Sequence, residues 1–258
     1  MRIASWNVNS IRTRQDAVLE WLRIHGTEVL CLQETKVTDA SFPIDAFRAI
    51  GYEVAHFGQK AYNGVAIVSK LALTDVARGF DDPELDAEGA RLLGATVGGV
   101  RVYSAYVPNG KVVGSAAYEG KLRWLERLRA LLDRQAANDL FAVCGDFNIA
   151  AEERDVHDPW FWKTQVLFHP SGREALSQFR GTEIVDTLRL HREEGQLYSW
   201  WDYRQGAFRK NWGLRIDYVF ASRKLAARCS DAWIDREPRG KPNPSDHTPV
   251  VAAFEIAS

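Results

Sequence analysis

The stretch Val143–Ala150, "VCGDFNIA", ends an apolar run at Gly145 and presents Asp146 and Asn148 around a single Phe. Polar groups of this kind recur wherever an apolar run stops. Asn7 closes "SWN", Glu34 follows "CLQ", Tyr106 and Asn109 lie in "SAYVPNG", and Asp246–His247 precede "TPVV". Taken singly, Asn7, Asn109 and Asn148 are residues that close turns by bonding their own backbone. Asp217 resists that reading, because a carboxylate between Ile216 and Tyr218 in an apolar run is costly to bury without a partner. His247 is a natural partner, since an Asp can fix an imidazole in one tautomer and stabilise its charged form.

Two kinds of group are present. Glu34, Asn7 and Asp246 are hard oxygen donors suited to Mg²⁺ or Mn²⁺, and the sequence has no Cys/His cluster of the kind zinc prefers. Asp146, Asn148, Tyr106 and His247 can handle a water and a phosphate. Phosphodiester hydrolysis needs an in-line water, neutralised phosphoryl oxygens and a stabilised leaving oxygen, and this inventory can meet all three needs.

Residues so far apart in sequence must be gathered by strands. Apolar runs predict strands at 2–8, 29–33, 63–69, 91–97, 100–107, 140–145, 215–221 and 249–255. "VLCLQ" and "FAVCG" are apolar nearly throughout, as expected for strands covered on both faces. Helical spacing predicts a helix over 12–25, with Val18, Leu19 and Leu22 on one face and Gly26 as its stop. A second is predicted over 118–136, carrying Leu122, Leu125, Leu128 and Leu132 with Lys and Arg between them. No repeat or linker divides residues 1–258, so the expectation is one domain: a four-layer α/β sandwich of two packed mixed β-sheets flanked by helices.

Composition narrows the function classes. The 258 residues are 46% hydrophobic, enough for a large core, and 33 Lys plus Arg stand against 34 Asp plus Glu for a net charge of -1. That balance excludes a uniformly basic nucleic-acid binder but not a local basic face. Three cysteines, Cys31, Cys144 and Cys229, lack metal spacing, and Cys31 and Cys144, inside apolar runs, read as buried, reduced thiols. With no long apolar span and no leader pattern, a cytoplasmic protein without membrane contact is expected, a monomer by default.

The motifs "SWNVNSIR", "LQETK", "YNGVAIVSK", "AYVPNG", "GDFNIA", "GLRIDYVFAS" and "PSDHTPV", in this order, resemble the exonuclease III family of abasic-site endonucleases, within the endonuclease/exonuclease/phosphatase superfamily. The resemblance runs from Arg2 to about Glu255. It implies a four-layer sandwich with the site at one end of the paired sheets. It also implies Mg²⁺-dependent cleavage of double-stranded DNA 5′ to an abasic site, with 3′ exonuclease or 3′-end repair activity on blocked 3′ ends. By motif, Glu34 would be the principal metal ligand with Asn7 beside it and Asp246 nearby. Asp146 would orient or deprotonate the water, Asn148 would position it, and His247, oriented by Asp217, would contact the phosphate. Tyr106 would contact the phosphate or assist the leaving group, with Asn109 adjacent.

The first motif departs from relatives that carry Asp-Gly where this chain has Asn9-Ser10. A neutral Asn9 implies one dominant metal site. "YSWWDYRQGAFRKNWGLR", residues 198–215, matches the family loop that lines the pocket for a base-less sugar, with Trp200 and Leu214 at the pocket positions and Arg204 among the cations. Trp201 is expected in the core. Lys111 could touch a backbone phosphate, His157 and His169 read as structural or exposed, and "WFWKTQVLFHP", 160–170, is a second aromatic loop without an assigned role. The competing readings are a mainly 3′ exonuclease or 3′-end repair enzyme, a superfamily phosphatase, and a DNA-binding protein without catalysis.

Overall fold

The computed structural model describes residues 1–87, 89–134 and 140–256. Two six-stranded mixed sheets stack face to face. The first runs β13 (Cys229–Ile234), β14 (Val250–Phe254), β1 (Arg2–Asn7), β2 (Val29–Gln33), β4 (Val65–Ser69) and β3 (Glu53–Phe57). The second runs β5 (Thr74–Arg78), β6 (Leu92–Val97), β7 (Val100–Tyr106), β8 (Phe141–Asp146), β12 (Asp217–Ser222) and β9 (Ile184–Asp186). A two-stranded ribbon, β10 (Trp200–Trp201) with β11 (Gly213–Leu214), stands apart from both.

The expected central strands are all present, within two residues at each end. Of the strands that sequence reading missed, β3, β5, β9 and β13 are edges of the large sheets and β10 and β11 form the short ribbon; β5 is exposed along its whole length. An edge strand with a wet face carries too few apolar residues to show a pattern.

Small and branched side chains fill the space between the sheets: Ile3, Cys31, Ile67 and Val250 from one, Val102, Cys144 and Val219 from the other. Helices cover the outer faces. Ile11–His25 lays Val18, Leu19 and Leu22 against Trp6 and Leu30, and ends where Gly26, at φ 59°, returns its N–H to Leu22 O at 2.9 Å. The helix Ala116–Asp133 starts where Ser115 Oγ accepts the Tyr118 N–H. It buries Trp124, Leu125, Leu128 and Leu132 against Phe141, Val143 and Phe147. Leu122, expected on that face, is only half-buried, and Lys121 is buried beside Tyr118 instead. The expected end of this helix, residues 135–136, lies outside the described residues.

Register decides what gathers at the site end. β1 and β2 run parallel, as do β7 and β8, so Asn7, Glu34, Tyr106 and Asp146 all leave their strands at one end. β12 and β14 run antiparallel to their neighbours, so the same end receives the starts of those strands. Asp217, the first residue of β12, lies opposite Asp146, the last of β8. On the other side of β8, Gly145 is required by the close approach of β7, since a Cβ there would sit 1.9 Å from Ala105 O. Among the described residues no helix is long and apolar enough to cross a membrane.

Candidate active site

Asp146 lies at the centre and is 1% exposed. Its Oδ2 accepts from Asn7 Nδ2 at 2.9 Å, and its Oδ1 accepts the Asn148 backbone N–H at 2.9 Å. Asn7 Nδ2 also donates to Glu34 Oε1 at 2.8 Å, so one carboxamide ties the two carboxylates together across the sheets. Glu34 and Asn148 both hold positive φ, 51° and 52°, a backbone conformation uncommon for non-glycine residues and concentrated at functional sites.

Asp217 finds the partner its burial demands. Its Oδ2 lies 2.8 Å from His247 Nδ1 and accepts from Ser199 Oγ at 2.6 Å. The other imidazole nitrogen, Nε2, faces Asp146 Oδ2 at 3.7 Å. Burial works against a charged imidazole, but the Asp217 and Asp146 carboxylates outweigh it and raise the His247 pKa to about 10. Burial also pushes the Asp146 carboxyl upward, with His247 pulling against the shift and Asp217 and Glu34 adding to it. The site therefore holds an imidazolium and, beside it, a buried carboxyl that gives up its proton reluctantly. For Tyr106, burial and the Glu34 and Asp146 charges push the hydroxyl well above its usual value, so it remains a proton-bearing donor.

The carbonyls around Asn148 have a cation of their own. Lys121 Nζ donates to Asn148 O at 2.8 Å, Asn109 O at 3.1 Å and Val166 O at 3.2 Å. Asn109 Nδ2 in turn donates to Asn148 Oδ1 at 3.1 Å, and Asn148 Nδ2 to Val107 O at 3.0 Å. Sequence reading missed Lys121 because a lysine in an amphipathic helix reads as solvated surface. Burial lowers its pKa to about 7.

Glu34, Asp146 and His247 each offer a ligand atom, and these atoms lie within 4.8 Å of one another. Asp246, expected among the ligands, lies outside this group. Its carboxylate accepts instead from Asn9 Nδ2 at 2.9 Å and Trp200 Nε1 at 3.0 Å. Lys36 Nζ stands 2.8 Å from Glu34 Oε2 and 2.5 Å from Asn9 Oδ1. Burial acts against the Glu34 charge, but Lys36 and the Asn7 hydrogen bond hold its pKa below the usual range.

Trp200 forms the rim, pairing with Leu214 across the ribbon and standing 6.2 Å, edge-on, from Trp162. Leu214, placed by sequence at the pocket surface, is fully buried with Val156, Phe168 and Ile216, so it backs the rim without reaching solvent. Trp201 is core, as expected. Arg204 is exposed and bonds Asp202 through Nε at 2.9 Å and Nη2 at 2.6 Å. His157 is half-buried near Trp212 and Trp162, and His169 caps a helix by accepting the Ser171 N–H; both are structural. Lys111 is exposed.

Two stacked mixed sheets with carboxylates, carboxamides and a charged histidine at one end define a metal-assisted phosphoester hydrolase. The chain belongs to the endonuclease/exonuclease/phosphatase family, whose model matches residues 4–247. It is 32% identical to an exodeoxyribonuclease III of Haemophilus influenzae, covering 99% of this chain and all of that one. Its fold superposes on an AP endonuclease from Archaeoglobus fulgidus with a TM-score of 0.95 at 40% identity, covering 99% of this chain and all of that one. It also superposes on a Neisseria 3′ phosphatase bound to a product DNA hairpin, with a TM-score of 0.94 at 35% identity and the same coverage. Within the family the chain is a DNA-repair nuclease of the exonuclease III and AP endonuclease group.

Proposed function

We propose that this nuclease hydrolyses the phosphodiester 5′ to an abasic site in double-stranded DNA, leaving a 3′-hydroxyl, and also clears blocked 3′ ends. In this reading it works as a cytoplasmic monomer. The observation that supports it best is the pairing of Asp146 with Asn7 and Glu34 on one side and with Asp217-held His247 on the other.

The donor set fits Mg²⁺, with Mn²⁺ able to substitute. Glu34 and Asp146 are hard oxygen donors brought together by Asn7, whereas His247, held as a cation by Asp217, is a poor ligand. When bound, the metal supplies charge neutralisation at the phosphate. The remaining steps belong to the chain. Asn148 and Asn109 hold the water and a phosphoryl oxygen, and Asp146 takes the water's proton at a carboxylate oxygen. His247 stabilises the phosphoryl charge, and Tyr106 donates toward the leaving oxygen. Trp200 closes the site around a sugar without a base. Arg204 exchanges its exposed bond to Asp202 for a DNA phosphate, an exchange that costs little because exposed ion pairs are weak.

The test is a labelled duplex with one tetrahydrofuran abasic analogue beside an intact duplex, each in Mg²⁺ and in EDTA, with wild type and Asp146→Asn. Mg²⁺-dependent incision 5′ to the analogue, lost in the variant, supports the proposal. Trimming of 3′ ends without incision would reassign the chain as mainly a 3′ exonuclease or 3′-end repair enzyme.

A further inference from the structure

The second aromatic loop has no part in the chemistry above, yet it carries the most exposed large apolar side chain of the described residues, Trp160, followed directly by a second exposed ring, Phe161. Trp160 is 78% exposed and Phe161 56%. Two such rings, successive in sequence and both in solvent, cost hydration free energy unless a partner covers them.

Their placement points to the partner. Phe161 packs edge-on against Trp162 at 5.4 Å, Trp162 edge-on against Trp200 at 6.2 Å, and Trp200 bonds Asp246 at the site's rim. An unbroken row of rings therefore leads from the candidate active site outward to Phe161, with Trp160 next in the chain. A cation accompanies the row: Lys163 Nζ stands 3.1 Å from the Trp160 ring centroid, while the rest of that ring faces solvent. Farther along the same rim, Trp212 is 42% exposed, with Lys210 Nζ 4.0 Å from its ring. Alternating rings and ammonium groups match a strand of alternating bases and phosphates.

The loop is also held in place before any ligand arrives. Asp158 Oδ1 accepts the Phe161 N–H at 3.0 Å, and the Trp162 and Lys163 N–H groups bond Asp158 O and Pro159 O. Behind the loop, Lys121 grips Val166 O, and Ala150 N donates to Leu167 O at 2.8 Å, fixing it to the segment that follows Asp146. Exposed rings on a pre-ordered turn lose little conformational entropy on binding.

We propose that Trp160 and Phe161 form a base-stacking platform that receives an unpaired or end-frayed nucleobase near the scissile phosphodiester, with Lys163 against the adjoining phosphate. The proposal rests on the DNA reading above, and it adds a contact to bases where the site itself touches only sugar and phosphate.

The test separates stacking from cleavage. Dissociation constants are measured in EDTA by fluorescence anisotropy for wild type, Trp160→Ala, Phe161→Ala and Trp160→Phe. The probe is an abasic-analogue duplex carrying 2-aminopurine in turn at each position flanking the lesion. Stacking quenches 2-aminopurine, so wild type should quench it at one or two positions. Trp160→Ala should abolish that quenching and weaken binding about tenfold, the value of a single base stack. Trp160→Phe should retain most of both. Because Trp160 is exposed, loss of folding does not confound the comparison, and thermal melting of each variant checks it. Unchanged affinity and quenching in Trp160→Ala, with wild type still incising, would overturn the platform and leave the nuclease reading intact. Trp160-dependent quenching by a wild type that incises and trims nothing would support the platform and overturn the nuclease reading.

Discussion

The buried ion network behind the site carries the sharpest stability prediction. Asp155 is fully buried. Its Oδ1 accepts from Arg215 Nε at 2.7 Å and Arg189 Nη2 at 2.5 Å, and its Oδ2 accepts from Arg215 Nη2 at 3.0 Å and Glu152 N at 3.0 Å. Arg215 also reaches Asp186 Oδ2 at 2.8 Å, so two guanidiniums face two carboxylates. Asp155→Asn keeps the shape but leaves two buried cations with one anion. Breaking such a pair by removing one partner costs about 3–5 kcal/mol. With 258 residues at about 2.1 cal/mol/K each, the unfolding entropy is about 0.54 kcal/mol/K, so Tm should fall by about 6–9 °C. The assay is thermal unfolding followed by circular dichroism at pH 7.5, repeated on Asp155→Asn with Arg189→Met, which restores the balance of charge and should recover part of the loss. Burial opposes the Asp155 charge, but Arg215 and Arg189 outweigh it and hold its pKa below the usual carboxylate range. A depressed folded pKa means its stabilisation is complete above the unfolded value of about 3.9 and disappears as pH falls through the folded one. The wild-type-to-variant gap should therefore be flat from pH 8 to about 5 and narrow in stronger acid. A Tm drop under 2 °C, or no recovery in the double variant, would refute the reasoning.

Two further outcomes are expected. Asn9 offers a carboxamide already engaged with Asp246 and Lys36, so calorimetric titration with Mg²⁺ should give one site per chain, and two tight sites would contradict this. Trp200→Ala removes the rim ring and its bond to Asp246, so incision at an abasic analogue should fall more than removal of a 3′-terminal phosphate. Equal losses would mean that Trp200 serves only packing.

The central strands were legible in the sequence because both faces are covered, which leaves apolar runs such as "VLCLQ" that allow little else. The polar residues that gather at the candidate site were legible because polar types interrupt those runs abruptly, most plainly at Asp146 and Asp217. Edge strands such as β5 were not legible, since an exposed strand needs no pattern. Local spacing also could not show that Lys121 turns inward to hold three carbonyls, that Leu214 lies beneath the rim, or that Asn9 and Trp200 share the Asp246 carboxylate. These are contacts between segments about a dozen to more than two hundred residues apart. The sequence by itself determined which residues could do the chemistry and which strands carry them. Only the tertiary structure decided which groups meet, because strand direction and register bring Asp146, Asp217, Asn7 and Glu34 to one sheet end, where burial pushes the Asp146 carboxyl upward and Lys36 and Asn7 hold Glu34 below its usual range.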